Sequence, residues 1–229
     1  MASTAALSWW LASAIALQPP GDFHGDEVTA RSGERWLAVH VADSGATMAT
    51  TTLRVSAVED AVLDEPGQRT GRRVESAGMD DIRLYLRGPG LRPGRIETAV
   101  VSPGPAGSVF AHAIQWRGRA FFLQSQCETA PPVADESKIA CRIELTDGKR
   151  HQTLAVMGGS RGGNGEWVLG DDASPQLILA GDLDRDGRLD LILDTSDHYN
   201  LRRPTLFLSS RATDGAIVGS AAEHESVGC

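Results

Sequence analysis

Gln176-Leu-Ile-Leu-Ala-Gly-Asp182-Leu-Asp184-Arg-Asp186-Gly-Arg188-Leu-Asp190-Leu-Ile-Leu-Asp194 is the stretch that decides how this chain is read. Two short apolar runs, Gln176 to Gly181 and Leu189 to Asp194, have the length and composition of strands. Between them three aspartates are spaced by two, with Gly187 at once after the third. In a tight turn that spacing aims three short carboxylates at one point, and glycine tolerates the positive φ that wraps the chain around an ion. Asp190 then closes the shell, and the backbone carbonyl of Arg188 is the natural equatorial ligand. From Asp171 to Asp197 there are eight Asp and no Glu against Arg185 and Arg188, so a formal -6 of the chain's -8 lies here. Such crowding opposes folding unless a cation sits among the carboxylates. Hard oxygen donors with no His or Cys select Ca²⁺, with Mg²⁺ second. A metal-free acidic turn is the alternative. An EF-hand or dockerin loop is excluded, because position twelve is Leu193 and the flanks are not helices.

The rest of the chain is consistent with strands. Trp36 to Ala42, Thr51 to Val58, Ile82 to Arg87 and Ile139 to Thr146 alternate apolar and polar residues with period two. Turn-forming clusters such as Gly88-Pro-Gly90, Pro93-Gly94 and Asp147-Gly148 separate them. The expected class is all-β, a β-sandwich or irregular antiparallel sheets with one calcium-loop hairpin. The turn-rich stretch Arg87 to Gly107 is either a long surface loop or the boundary between an N-terminal β region, 17–105, and a C-terminal one, 106–229.

Strand, D-x-D-x-D-G-x-x-D loop, strand resembles the FG-GAP or VCBS-type repeat found in integrin α-chains and many exported bacterial proteins. The resemblance covers Leu177 to Leu208 and implies Asp182, Asp184, Asp186 and Asp190 as side-chain ligands. In that family the unit recurs to build propeller blades. Here there is one complete copy, so a full propeller is not expected.

The first 21 residues carry no charged side chain, and Ala5 to Leu17 are largely apolar. The run is too short to span a bilayer. Ala14-Ile15-Ala16 fits a small-x-small cleavage pattern, so residues 1–16 are expected to be an export signal, placing the protein in the periplasm or outside the cell. In an oxidising compartment Cys127 and Cys141, on the apparent strands Ala120 to Cys127 and Lys138 to Thr146, are the expected disulfide. Cys229 is then free or displaces one of them. A net charge of -8 and a pI near 5.2, with no basic cluster, argue against a nucleic-acid binder.

Two chemical clusters compete with the loop. Asp197-His198-Tyr199-Asn200 looks reactive, but neighbours on a strand face opposite sides, so a structural histidine is the expectation. Gly158-Gly-Ser160-Arg-Gly162 matches G-x-S-x-G formally. The helix that should follow is forbidden by Gly162, Gly163, Asn164 and Gly165. The expected function is therefore a calcium-stabilised, non-catalytic module that binds a protein or envelope component, for example a periplasmic inhibitor or immunity protein. The alternative is a hydrolase drawing on Asp194, Asp197 and His198.

Overall fold

The computed structural model describes residues 14–79, 81–106, 108–129, 139–162, 166–173 and 175–228. Residues 1–13, which hold most of the expected export signal, and Cys229 lie outside them. Nineteen strands follow one another: β1 (Ala16–Gln18), β2 (Gly21–Phe23), β3 (Arg35–Ala42), β4 (Gly45–Val58), β5 (Gly71–Ser76), β6 (Ile82–Arg87), β7 (Gly94–Thr98), β8 (Val100–Pro103), β9 (Ala111–Trp116), β10 (Arg119–Thr129), β11 (Ile139–Thr146), β12 (His151–Arg161), β13 (Trp167–Leu169), β14 (Gln176–Asp182), β15 (Asp190–Asp194), β16 (Leu201–Arg202), β17 (Pro204–Leu208), β18 (Gly219–Glu223) and β19 (Ser226–Val227). A 3-10 turn at Ser209–Arg211 is the one helical element among the described residues. Among the described residues no helix is long and apolar enough to cross a membrane.

The all-β expectation holds, and every pairing between these strands is antiparallel. The larger sheet runs β1-β6-β3-β4-β7-β14-β15-β17-β18, with β5 on β4 and β2 on β5. Its end strands, β1 and β18, return against each other, so the sheet is a nearly closed barrel. The second sheet, β13-β12-β11-β10-β9-β8, is a half-barrel laid against it. Strands β16 and β19 form a separate pair.

Three packed layers follow from side-chain alternation. Val39, Met48, Leu84, Leu86, Ile96, Leu179, Ile192, Leu206 and Leu208 fill the barrel. Leu191, Leu193 and Phe207, on the opposite face of the same strands, pack against Ile114, Leu123, Ile143 and Leu145 of the half-barrel. Trp36, Ala38, Leu53, Val74 and Tyr85 form a third cluster on the outer face of β3, β4 and β6. The unbroken run Leu191-Ile192-Leu193 is thus a strand covered on both faces, which removes the polar positions that alternation would otherwise show. Ile15 packs into the barrel cluster and Ala16 pairs with Arg87.

Strand β7 is hard to see in the sequence because only Ile96 of its five residues is buried. It joins β4, through Ala46 opposite Ile96, to β14, through Gly181 opposite Thr98. The large sheet therefore takes strands from both sides of residue 105. Cys127 and Cys141 lie directly opposite each other in β10 and β11 and are disulfide-bonded.

Candidate metal centre

Strands β14 and β15 place the acidic loop. Their last pair, Gly181 opposite Asp190, closes the hairpin. Inside it Arg185 and Gly187 take left-handed φ values of 64° and 83°. That turns successive carboxylates inward. The carboxylates of Asp182, Asp184 and Asp190 each offer an oxygen within 4.8 Å of the others, a group that could hold a metal ion.

Each of the three is fixed differently. Asp182 Oδ2 accepts the Gly187 N–H (3.0 Å), while its Oδ1 is buried with no hydrogen-bond partner among the described residues. Asp184 accepts the Asp186 N–H on Oδ1 (3.2 Å) and the Ser210 hydroxyl on Oδ2. Asp190, wholly buried, accepts from Leu183 N–H (2.8 Å) on Oδ2 and from the Ser209 N–H (2.8 Å) and hydroxyl (3.0 Å) on Oδ1. Burial pushes Asp190 up to about 7, and the neighbouring Asp184 charge adds to this against the hydrogen bonds. A cation would offset both effects.

Asp186 stands outside that group of three. Its carboxylate accepts from the Arg188 N–H (2.8 Å) and guanidinium (Nε 2.8 Å) and from the Ser209 hydroxyl (3.0 Å). Partial burial pushes its pKa up, and the Arg188 and Ser209 hydrogen bonds outweigh that and hold it below the usual range. Arg188, expected to offer its carbonyl, also closes its side chain on Asp186 (2.6 Å). Ser209 and Ser210 carry no local signal in the sequence as partners of the loop, because they reach it only through the return of β17 alongside β15.

Two arginines lash the loop to its surroundings. Arg117, from the turn between β9 and β10, donates to the Gly187 carbonyl (2.9 Å) and to Glu97 (Nε 3.1 Å). Its guanidinium also comes within 3.9 Å of Asp182. Arg185 donates to the Pro93 carbonyl (2.7 Å). The loop is thereby tied to both sheets.

A methyl group at Gly187 would meet only the flexible Arg117 guanidinium, at 2.8 Å, so the left-handed backbone decides what this position tolerates. Gly187→Ala is expected to destabilise by about 1–2 kcal/mol, and Gly187→Asn by distinctly less, since asparagine visits that region more readily. Urea unfolding of the two variants checks the order.

The other candidate residues do not converge. His198 Nε2 pairs with Asp171 (3.0 Å), whereas Asp197 pairs with Arg203 (3.2 Å). Asp194 Oδ1 accepts from Ser196 N–H (3.1 Å) and Arg203 N–H (3.2 Å). Gly158, Gly159 and Ser160 lie within β12, and Ser160 pairs with Val168 of β13, so there is no strand-to-helix elbow at this serine. Residues 163–165 are outside the described ones. No family model, curated protein or solved structure matches the chain, and its functional reading rests on the geometry of this loop.

Proposed function

We propose that the chain is an exported β protein whose Asp182–Asp190 loop binds Ca²⁺ as a structural ion, in the manner of a single FG-GAP or VCBS-type unit. Its surface, not the ion, would recognise a protein or an envelope component in the periplasm or outside the cell. A periplasmic inhibitor or immunity protein is one concrete form. The observation that carries the ion is Asp182 Oδ1, a buried carboxylate oxygen without a partner among the described residues, beside two further converging carboxylates. Leaving such an atom unsatisfied is costly, and a hard cation satisfies it. Carboxylate oxygens in an irregular protein shell favour Ca²⁺ over Mg²⁺, which demands a stricter octahedron. The Cys127–Cys141 disulfide supports an oxidising compartment. The hydrolase alternative has only the His198–Asp171 contact in its favour.

The test is thermal and urea unfolding with Ca²⁺ and with chelator. For an extracellular-type dissociation constant of about 10⁻⁴ to 10⁻³ M, ~10 mM Ca²⁺ stabilises by about 1.4–2.7 kcal/mol. Asp184→Ala, at a half-buried position, should fold normally and lose that increment. No shift in either protein would sink the ion.

A further inference from the structure

We propose that the open end of the barrel, at the far end of β14 and β15 from the acidic loop, binds a small organic anion with an apolar body and an oxyanion head. The barrel ends there in a cavity of about 530 Å³. Gln176 and Asp194, the residues of β14 and β15 farthest from the loop, lie on its rim, as does Pro204 at the start of β17. Its floor is the barrel core left uncovered: Val41, Leu84 and Ile178 line the cavity and belong to, or pack against, the cluster that fills the barrel. Barrel mouths with apolar floors and a few polar groups are where small ligands seat.

Two irregularities shape this end of the barrel. Strand β6 bulges against β3, where Leu84 pairs with Val39 and Ile82 with His40, leaving Arg83 unpaired. Strand β14 bulges against β15, where Leu177 pairs with Leu193 and Leu179 with Ile192, leaving Ile178 unpaired. Both extra residues line the cavity. A bulge re-aims one side chain, and here one bulge supplies a cation and the other an apolar floor residue.

The charges choose the ligand. Arg83 and Arg202 line the cavity, are exposed, and form no ion pair among the described residues. Of the two acids on the same rim, Asp22 is held bidentately by Arg73 (2.7 Å for each bond). Asp194 accepts the Ser196 and Arg203 N–H groups on Oδ1 and keeps its charge. Counting Arg73 with the Asp22 it pairs, three guanidiniums stand against two carboxylates here, one positive charge in excess in a chain whose net charge is -8. Guanidinium forks match the planar oxygens of a carboxylate or a phosphate, and an aliphatic or ring body would cover Val41, Leu84 and Ile178.

The test is titration of the full chain with decanoate, decyl phosphate and decanol, followed by calorimetry or intrinsic tryptophan fluorescence. One anion or both should bind saturably at a single site and at least tenfold more tightly than decanol. Hexanoate should bind more than tenfold more weakly than decanoate. The Arg83→Ala, Arg202→Ala double variant, altered only at exposed positions, should keep its melting temperature and lose the advantage of the anion over decanol. Preference for one head group identifies it and supports the site. No saturable binding of either anion, decanol binding as tightly as the anions, or anion binding unchanged in the double variant would overturn it.

Discussion

Replacing Asp190 with alanine in the metal-free protein is expected to lower the unfolding free energy by about 4 kcal/mol, because several buried donors lose their acceptor together. The closest donors are the Leu183 N–H, the Ser209 N–H and the Ser209 hydroxyl, all within 3.0 Å of the carboxylate, with the Asp184 N–H at 3.4 Å. They come from the start of the acidic loop and from the turn after β17, so one side chain ties two segments that are distant in sequence. Alanine leaves the Leu183 and Ser209 N–H groups buried and unpaired, while the Ser209 hydroxyl keeps Asp186 as its acceptor. Asparagine is a partial rescue only. Its oxygen can serve one side, and its amide then points hydrogens at the donors of the other. The contrast with Asp184→Ala is the informative part. Asp184 has a half-buried side chain whose partners are the Asp186 N–H and the Ser210 hydroxyl, so its loss should touch ion binding far more than metal-free stability. Urea unfolding in chelator, with Asp190→Ala, Asp190→Asn and Asp184→Ala side by side, gives the comparison. If Asp190→Ala were no less stable than Asp184→Ala, the role assigned to the buried carboxylate would be wrong.

The same hairpin explains what could and could not be read in the sequence. The D-x-D-x-D-G spacing is local, so the convergence of Asp182 and Asp184 follows from the chain's own turn. Asp186 is held by Arg188, two residues on, and by Ser209, which arrives 23 residues later. The first contact hides among ordinary polar residues, and the second depends on how β17 pairs. Strands β6 and β11 were legible to the residue, since Ile82–Arg87 and Ile139–Thr146 have strand composition and clean edges. Strand β7 was not, because four of its five side chains face solvent and prolines and glycines surround it. Barrel closure was illegible for a deeper reason. It depends on β3 pairing with β6 and β7 with β14, contacts between distant segments whose registers no local pattern records. Double-sided burial compounds this, since Leu191 to Leu193 looks the same in a sandwich as in a barrel wall covered by a second sheet.

Acid should remove the stability that His224 contributes, while protonation of metal-free Asp190, raised to about 7, acts in the opposite sense. The His224 side chain is almost wholly buried, sits edge-on to Phe23 at 5.4 Å between ring centroids, and has an Nε2 with no partner among the described residues. Burial disfavours the imidazolium and pushes the pKa down to about 4 from an ordinary 6.5. The unfolded chain therefore takes up a proton that the folded one refuses. Stability from this group is complete above 6.5 and is lost as pH falls from 6.5 to about 4, by about 3 kcal/mol in all. His24 works in the opposite sense: its bond to Asp60 raises its pKa, so its contribution is full below 6.5 and fades as pH rises through the folded value. Asp147 titrates below this window. Burial pushes it up, but hydrogen bonds from Arg150 and Lys149 outweigh that and hold it at about 2. The comparison that isolates His224 is therefore the wild type against His224→Phe, unfolded in urea across the pH range. Phenylalanine keeps the packing on Phe23 and leaves no polar atom unsatisfied, so the variant should match or exceed the wild type at neutral pH and hold most of that stability at pH about 4. Parallel curves for the two proteins would refute the assignment. The consequence is local as well as global. His224 follows β18, one edge of the barrel seam, and Phe23 belongs to β2, which follows the other edge, β1. Protonation places an unpaired charge between them. The C-terminal segment, held on the same side by the Val227 N–H to Glu27 bond, is where acid should first open the fold.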